Sequence, residues 1–160
     1  MVASACGRLD AVKYLLSHGA KVMSKDLGGS TPLHKGFRSE HKEVVQYLLF
    51  KGANPAARDT EGQTPLLAAA RWSGPSGDTL KCLISLEEVW ATLDIPDARG
   101  RTPLWWAAQC GASQLVETLL EAGADPTIAD VDGKTPLDAT RNQMDCQTLK
   151  VSGVEASMAF

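Results

Sequence analysis

Nine residues decide how the chain is read: Asp26-Leu27-Gly28-Gly29-Ser30-Thr31-Pro32-Leu33-His34. An aspartate followed three residues later by glycine reads as a tight turn, with the glycine at positive φ. Threonine then caps a helix, and proline suits the first helical position, where no amide hydrogen is needed. Outside this stretch the same string returns. Thr-Pro-Leu recurs at Thr64-Pro65-Leu66, Thr102-Pro103-Leu104 and Thr135-Pro136-Leu137, with separations of 33, 38 and 33 residues counted from Thr31. Each copy follows an acidic-then-glycine turn: Asp26 to Gly29, Asp59 to Gly62, Asp97 to Gly100 and Asp130 to Gly133. A second element keeps step: Leu15-Leu16 with Gly19-Ala20, Leu48-Leu49 with Gly52-Ala53, and Leu119-Leu120 with Gly123-Ala124. Repetition at a fixed period is therefore the organising principle of the chain.

Between these marks the sequence predicts two helices per unit. Leucine and small residues such as Ala68-Ala69-Ala70 and Ala107-Ala108 follow each Thr-Pro, and small side chains let neighbouring helices approach closely. The second helix carries an apolar stripe, Val44, Val45, Leu48 and Leu49 in one unit and Leu115, Val116, Leu119 and Leu120 in another. Those spacings fit one helical face. Gly19, Gly52 and Gly123 then end the second helices in the left-handed conformation.

With Thr31 to His34 as the full match, the pattern resembles the ankyrin repeat, a 33-residue unit bearing Thr-Pro-Leu-His and a Gly-Ala helix ending. The resemblance covers about residues 1–145. It implies an all-α fold, a solenoid of stacked β-turn/helix-turn-helix units, each burying its apolar face only against its neighbours. The expected units are about 1–30, 31–63, 64–101, 102–134 and 135–150, with 151–160 as a C-terminal tail.

Three places depart from the template. Aligning Gly19 with Gly52 sets Met1 level with His34, so Met1 to Cys6 forms a partial first helix and its turn is missing. Ala3, Val12, Leu15 and Leu16 do not supply the polar outer face of a terminal repeat. Either that end frays, or it is covered by further repeats or by self-association. The third unit runs to 38 residues: Ser73 to Asp78 lengthens the turn between its helices, and Leu86 to Asp97 lengthens the next loop. Such insertions carry function or reflect neutral drift in a surface connection. In the last unit, polar Asn142, Gln143 and Asp145 suit a C-terminal cap.

Composition excludes several classes. The 160 residues carry 16 basic and 19 acidic side chains, a net charge of -3, which gives no overall attraction to nucleic acid or an anionic membrane. No apolar run approaches the roughly 18–20 residues of a membrane span. Met1 to Asp10 has no basic start followed by an apolar stretch, so no secretory signal is expected. Cys6, Cys82, Cys110 and Cys146 are far apart, suggesting neither a zinc site nor a disulfide framework. The expected compartment is intracellular, cytoplasmic or nuclear.

No phosphate loop, dinucleotide fingerprint, nucleophile elbow or His-Glu-x-x-His occurs, so no catalytic residue, metal or cofactor is assigned. The repeated aspartates serve turns, which argues against a unique acid-base pair. In the resembled family His34 hydrogen-bonds within and between turns, and partner contacts come from turn tips and the exposed side of the first helices, which line a concave face. Carried onto this chain, that implies a partner-binding set of Arg38, Arg71, Trp72, Arg99, Arg101, Trp106 and Gln109, with Arg58 towards its earlier side. Tips such as Leu27, Gln63 and Val131 flank it. Trp105, at the histidine position of the motif, is expected to pack between turns; for Trp106 both packing and exposure stay open. Arginine and tryptophan dominate binding hot spots, so the expected function is a protein-interaction scaffold, not an enzyme, taking a protein or peptide with acidic or aromatic character. Two alternatives remain: a solvated arginine rim with Trp72 packed on the neighbouring loop, or a small-molecule or enzymatic pocket beside the enlarged third unit.

Overall fold

All four Asp-x-x-Gly segments close in the same way. One carboxylate oxygen accepts two backbone amides, from residues two and four positions on: Gly28 and Ser30 on Asp26, Glu61 and Gln63 on Asp59, Arg99 and Arg101 on Asp97, Asp132 and Lys134 on Asp130, all at 2.8–3.0 Å. The turn demands positive φ at its glycine, +73° at Gly29 and +80° at Gly100. A side chain at Gly29 would also meet the amide nitrogen of Thr60 at 2.9 Å. Successive turns are tied edge to edge, the amide of Thr60 donating to the Gly28 carbonyl and that of Val131 to the Arg99 carbonyl.

In the computed structural model, residues 1–72 and 78–140 are described. They form ten helices: α1 Val2–Ala5, α2 Leu9–Ser17, α3 Pro32–Arg38, α4 Lys42–Phe50, α5 Pro65–Trp72, α6 Asp78–Ile84, α7 Glu87–Trp90, α8 Pro103–Cys110, α9 Ser113–Glu121 and α10 Pro136–Ala139. No strand occurs among the described residues. Thr64, Thr102 and Thr135 cap α5, α8 and α10 through their hydroxyls. At α3 the His34 ring takes over: its Nδ1 accepts the Thr31 amide at 3.1 Å, which leaves Nε2–H to donate to the Gln63 carbonyl at 3.0 Å. That second bond joins one turn to the next. Burial pushes the His34 pKa below its usual value, in keeping with the neutral ring this network needs.

The helices form two rows. α1, α3, α5, α8 and α10 pack consecutively in an inner row, and α2, α4, α6 and α9 in an outer row. Small side chains such as Ala70, Ala107 and Ala108 are fully buried within the inner row. Leu33, Phe37, Leu48, Leu66, Leu83, Leu104 and Leu119 fill the space between the rows, each worth about 1.5–3 kcal/mol by removal from water. The Gly-Ala endings work as expected: the amides of Ala20, Ala53 and Ala124 bond back to the carbonyls of Leu15, Leu48 and Leu119.

Two departures acquire a structural form. The insertion after α6 includes the helical turn α7, which buries Val89, and Leu93 is buried just beyond it. Its Trp90 indole N–H donates to the Ile84 carbonyl, meeting a helix-end acceptor where the unit lacks Gly-Ala. At the other end, Leu15 is 47% exposed, although its counterparts Leu48 and Leu119 are buried. The segment 73–77, the polar positions Asn142, Gln143 and Asp145, and the tail 151–160 lie outside the described residues.

Candidate partner-binding face

The 33-residue period places Arg38 and Arg71 at the same position of successive inner helices, in the last turns of α3 and α5. The following residue is Ser39 after α3 but Trp72 at the end of α5. Arg38 therefore lies across the Trp72 ring, its guanidinium carbon 4.8 Å from the ring centroid. Arg71 stands between two rings, 5.6 Å from Trp72 and 4.7 Å from Trp106. Arg101, arriving from the turn before α8, stands between the next two, 5.0 Å from Trp106 and 4.5 Å from Trp105. The order Arg38–Trp72–Arg71–Trp106–Arg101–Trp105 alternates cation and ring along the inner row. Each such contact is worth roughly 0.5–1 kcal/mol when exposed and more when desolvated.

Carboxylates anchor the rings and arginines of this ladder, Asp97 and Asp130 from buried positions and Glu61 from an exposed one. Asp97 uses Oδ1 for its turn and accepts the Trp106 indole N–H on Oδ2 at 3.1 Å. Asp130 divides its oxygens similarly, with Oδ2 lying 3.7 Å from Arg101 Nε. Glu61 pairs with Arg71, and the Gln63 side-chain amide donates to the same carboxylate. Asp26 meets Lys35 at 2.8 Å, which holds its carboxyl below the usual carboxylate range.

Five of the seven expected residues thus come together: Arg38, Arg71, Trp72, Arg101 and Trp106. Trp72 is 60% exposed, Trp106 is half-buried, and the Arg101 side chain is only 16% exposed. Arg99 is exposed at a turn tip and Gln109 is half-buried in the last turn of α8; neither enters the ladder. Gln109 occupies the register position of Arg38 and Arg71, so the alternation stops there. Among the described residues, Arg38 and Arg99 have no carboxylate partner, whereas Arg71 and Arg101 do. Arg58 turns aside to donate to the Gly62 and Pro96 carbonyls.

Trp105, expected to pack between turns, is buried and donates to the Lys134 carbonyl; what sequence reasoning missed is that its ring face also ends the ladder. Gln63, expected at an open tip, is buried, and its side-chain amide donates to the exposed Glu61 carboxylate. Leu27 and Val131, at equivalent tip positions, are exposed apolar side chains. Beside Trp72 lies a depression of about 160 Å³ lined by Arg38, Thr60, Glu61 and Ala68, among others. Cys110 donates to the Arg71 carbonyl at 3.4 Å, and partial burial of its sulfur pushes the thiol pKa up. Among the described residues no cluster of His, Cys, Asp and Glu could hold a metal, and no helix is long and apolar enough to cross a membrane.

Comparison with known proteins adds a family. A family model described as ankyrin repeats (3 copies) matches residues 1–59 and 40–130. The chain is 36% identical over 128 residues to palmitoyltransferase AKR1 of Lachancea kluyveri, covering 80% of this chain and 17% of that protein. It is 32% identical over 139 residues to inversin of Canis lupus familiaris, covering 82% of this chain and 12% of that one. Ankyrin repeat and SOCS box protein 11 of Danio rerio is 40% identical over 73 residues, 45% of this chain and 24% of that protein. The chain thus spans less than a quarter of the length of each of these three relatives.

Proposed function

Because the chain belongs to the ankyrin-repeat family, we propose that it is a protein-interaction module whose concave inner face takes a segment of a partner protein. The observation that carries the reading is the Arg–Trp ladder with Trp72 open to solvent and Arg38 lying over it. Paired rings and guanidinium groups hold one another in place, so little side-chain freedom remains to be lost on docking. Such residues dominate binding energy, roughly 2 kcal/mol or more each on truncation. Trp72 offers an aromatic platform, and Arg38 and Arg99 offer charge for a carboxylate; Arg71 and Arg101 serve mainly to fix the rings. The partner segment is accordingly aromatic with acidic positions.

A scaffold role is favoured over catalysis by the chemistry of the face. The Cys110 thiol on it is shifted away from the reactive thiolate, and Asp97 and Asp130 are committed to turns and ladder. The palmitoyltransferase activity in one relative's name belongs to a protein of which the chain matches 17%. The small-molecule reading is weakened by size: the depression beside Trp72 measures about 160 Å³, whereas ligand pockets run to about 300–1,000 Å³.

The test is affinity capture from a native extract with the wild-type chain and with Arg38→Ala/Trp72→Ala. Partners retained by the wild type are expected to be lost by the variant while its circular dichroism is unchanged. Retention of the same proteins by a folded variant would remove the concave face from consideration.

A further inference from the structure

The charge is distributed very unevenly along the solenoid. Residues 1–58 hold nine basic and four acidic side chains, a net of +5, while residues 59–140 hold five basic and thirteen acidic, a net of -8. The inner face does not express this polarity, because its charges are interleaved. The outer row does. At one end Lys13 and Lys51 flank the Tyr47 ring, 5.8 and 5.5 Å from its centroid, and Lys51 also lies over Phe50. Tyr14 and Phe50 are exposed there, beside a depression of about 270 Å³ whose walls include Leu16, Tyr47 and Lys51. At the other end Glu87, Glu88, Glu117 and Glu121 are exposed on α7 and α9. Trp90 stands among them, 53% exposed, beside a depression of about 180 Å³. Lys81 reaches Glu121 only at 4.0 Å.

We propose that two copies of the chain associate through their outer faces, antiparallel, the Lys13/Lys51 end of each against the Glu117/Glu121 end of the other. A two-fold axis lying in the plane of contact, perpendicular to the run of the row and midway between the patches, sets basic on acidic twice with one operation, an isologous contact. Parallel superposition of the same faces sets like charge on like and is repelled. Each end also offers an exposed aromatic side chain beside a shallow recess, so Trp90 of one copy meets lysines suited to its ring, and Phe50 meets an apolar margin. An anionic bilayer is a poorer occupant of the basic end, because the strongly acidic second half is carried with it and is repelled from such a surface. The contact is charge-driven and therefore sensitive to salt. It is independent of the concave-face reading, since no ladder residue takes part.

Sedimentation equilibrium of the full chain tests it. At 50 mM NaCl and several hundred micromolar protein, the wild type is expected to exceed the mass of a single chain, with association at least tenfold weaker at 500 mM. Lys13→Glu/Lys51→Glu and Glu117→Lys/Glu121→Lys are each expected to be monomeric alone, with unchanged circular dichroism. Mixed in equal amounts they should recover association as a heterodimer, since each then presents the charge the other lacks. A wild type that stays monomeric at low salt overturns the proposal. So does association that survives both reversals, or a mixture that fails to recover. Binding of an octaglutamate peptide by a strictly monomeric wild type would assign the basic end to an acidic segment instead, and equally overturns the dimer.

Discussion

Replacing Arg101 with alanine should destabilise the array by about 3 kcal/mol, although the residue sits on a face expected to bind. Its guanidinium lies 4.5 Å from the Trp105 centroid and 5.0 Å from that of Trp106. Two half-buried contacts of this kind contribute about 1.5 kcal/mol together. The rest comes from Asp130, whose side chain is 2% exposed and whose Oδ2 faces Arg101 at 3.7 Å. Removing one member of a buried ion pair costs about 3–5 kcal/mol when the other is stranded. Here a smaller figure applies, about 1.5 kcal/mol, because Arg101 Nε makes no hydrogen bond and Asp130 Oδ1 keeps its two turn amides. Arg101→Lys retains the charge and loses the flat stacked fork, so it should cost about 1–1.5 kcal/mol. Urea unfolding followed by tryptophan fluorescence and far-ultraviolet circular dichroism measures these changes. In an Asp130→Asn background the Arg101→Ala loss should shrink by about 1.5 kcal/mol, the coupling between the two. A single Arg101→Ala variant within about 0.5 kcal/mol of wild type, or an undiminished loss in the Asp130→Asn background, would refute the assignment of Arg101 as the clamp at the Trp105 end of the ladder.

Three further outcomes follow from the backbone and from His34. Glu40 has φ of +56° at the position where Gly7 and Gly111 stand in other units, so Glu40→Gly should raise stability by about 1 kcal/mol in urea unfolding. Gly29→Ala should cost more than 2 kcal/mol, since positive φ is compounded by contact with the Thr60 amide at 2.9 Å, whereas Gly19→Ala, with nothing within 4 Å, should cost only about 1 kcal/mol; equal losses would show that turn-to-turn approach is unimportant. The lowered His34 pKa means the unfolded chain binds the proton more readily, so stability is full above about pH 6.5 and declines as pH falls through the folded value. The urea midpoint should drop between pH 7.5 and 5 in the wild type and less in His34→Gln; identical slopes would remove His34 as the cause.

The fold was legible because every local signal pointed the same way. Asp, Gly, Thr and Pro each have a backbone reason for their places, and the reasons recur in register. What the sequence concealed was how the carboxylates divide their two oxygens. Asp97 and Asp130 read as turn formers, and they are; their second oxygens, which orient Trp106 and face Arg101, have no signature in spacing alone. Gln63 likewise reads as a tip residue from its spacing, and its burial, with its amide on the Glu61 carboxylate, has no signature there. The ladder itself had a usable signal in the equivalence of Arg38 and Arg71 one period apart. Its end was equally written, in the exchange of that arginine for Gln109. The register that builds the core also sets which side chains meet on the inner face: although the third unit runs to 38 residues rather than 33, α5 still packs on α8 and Arg71 still bridges Trp72 and Trp106. The spacing of rings offered to the proposed partner is therefore fixed by the same hydrogen-bonded turns that hold the units together.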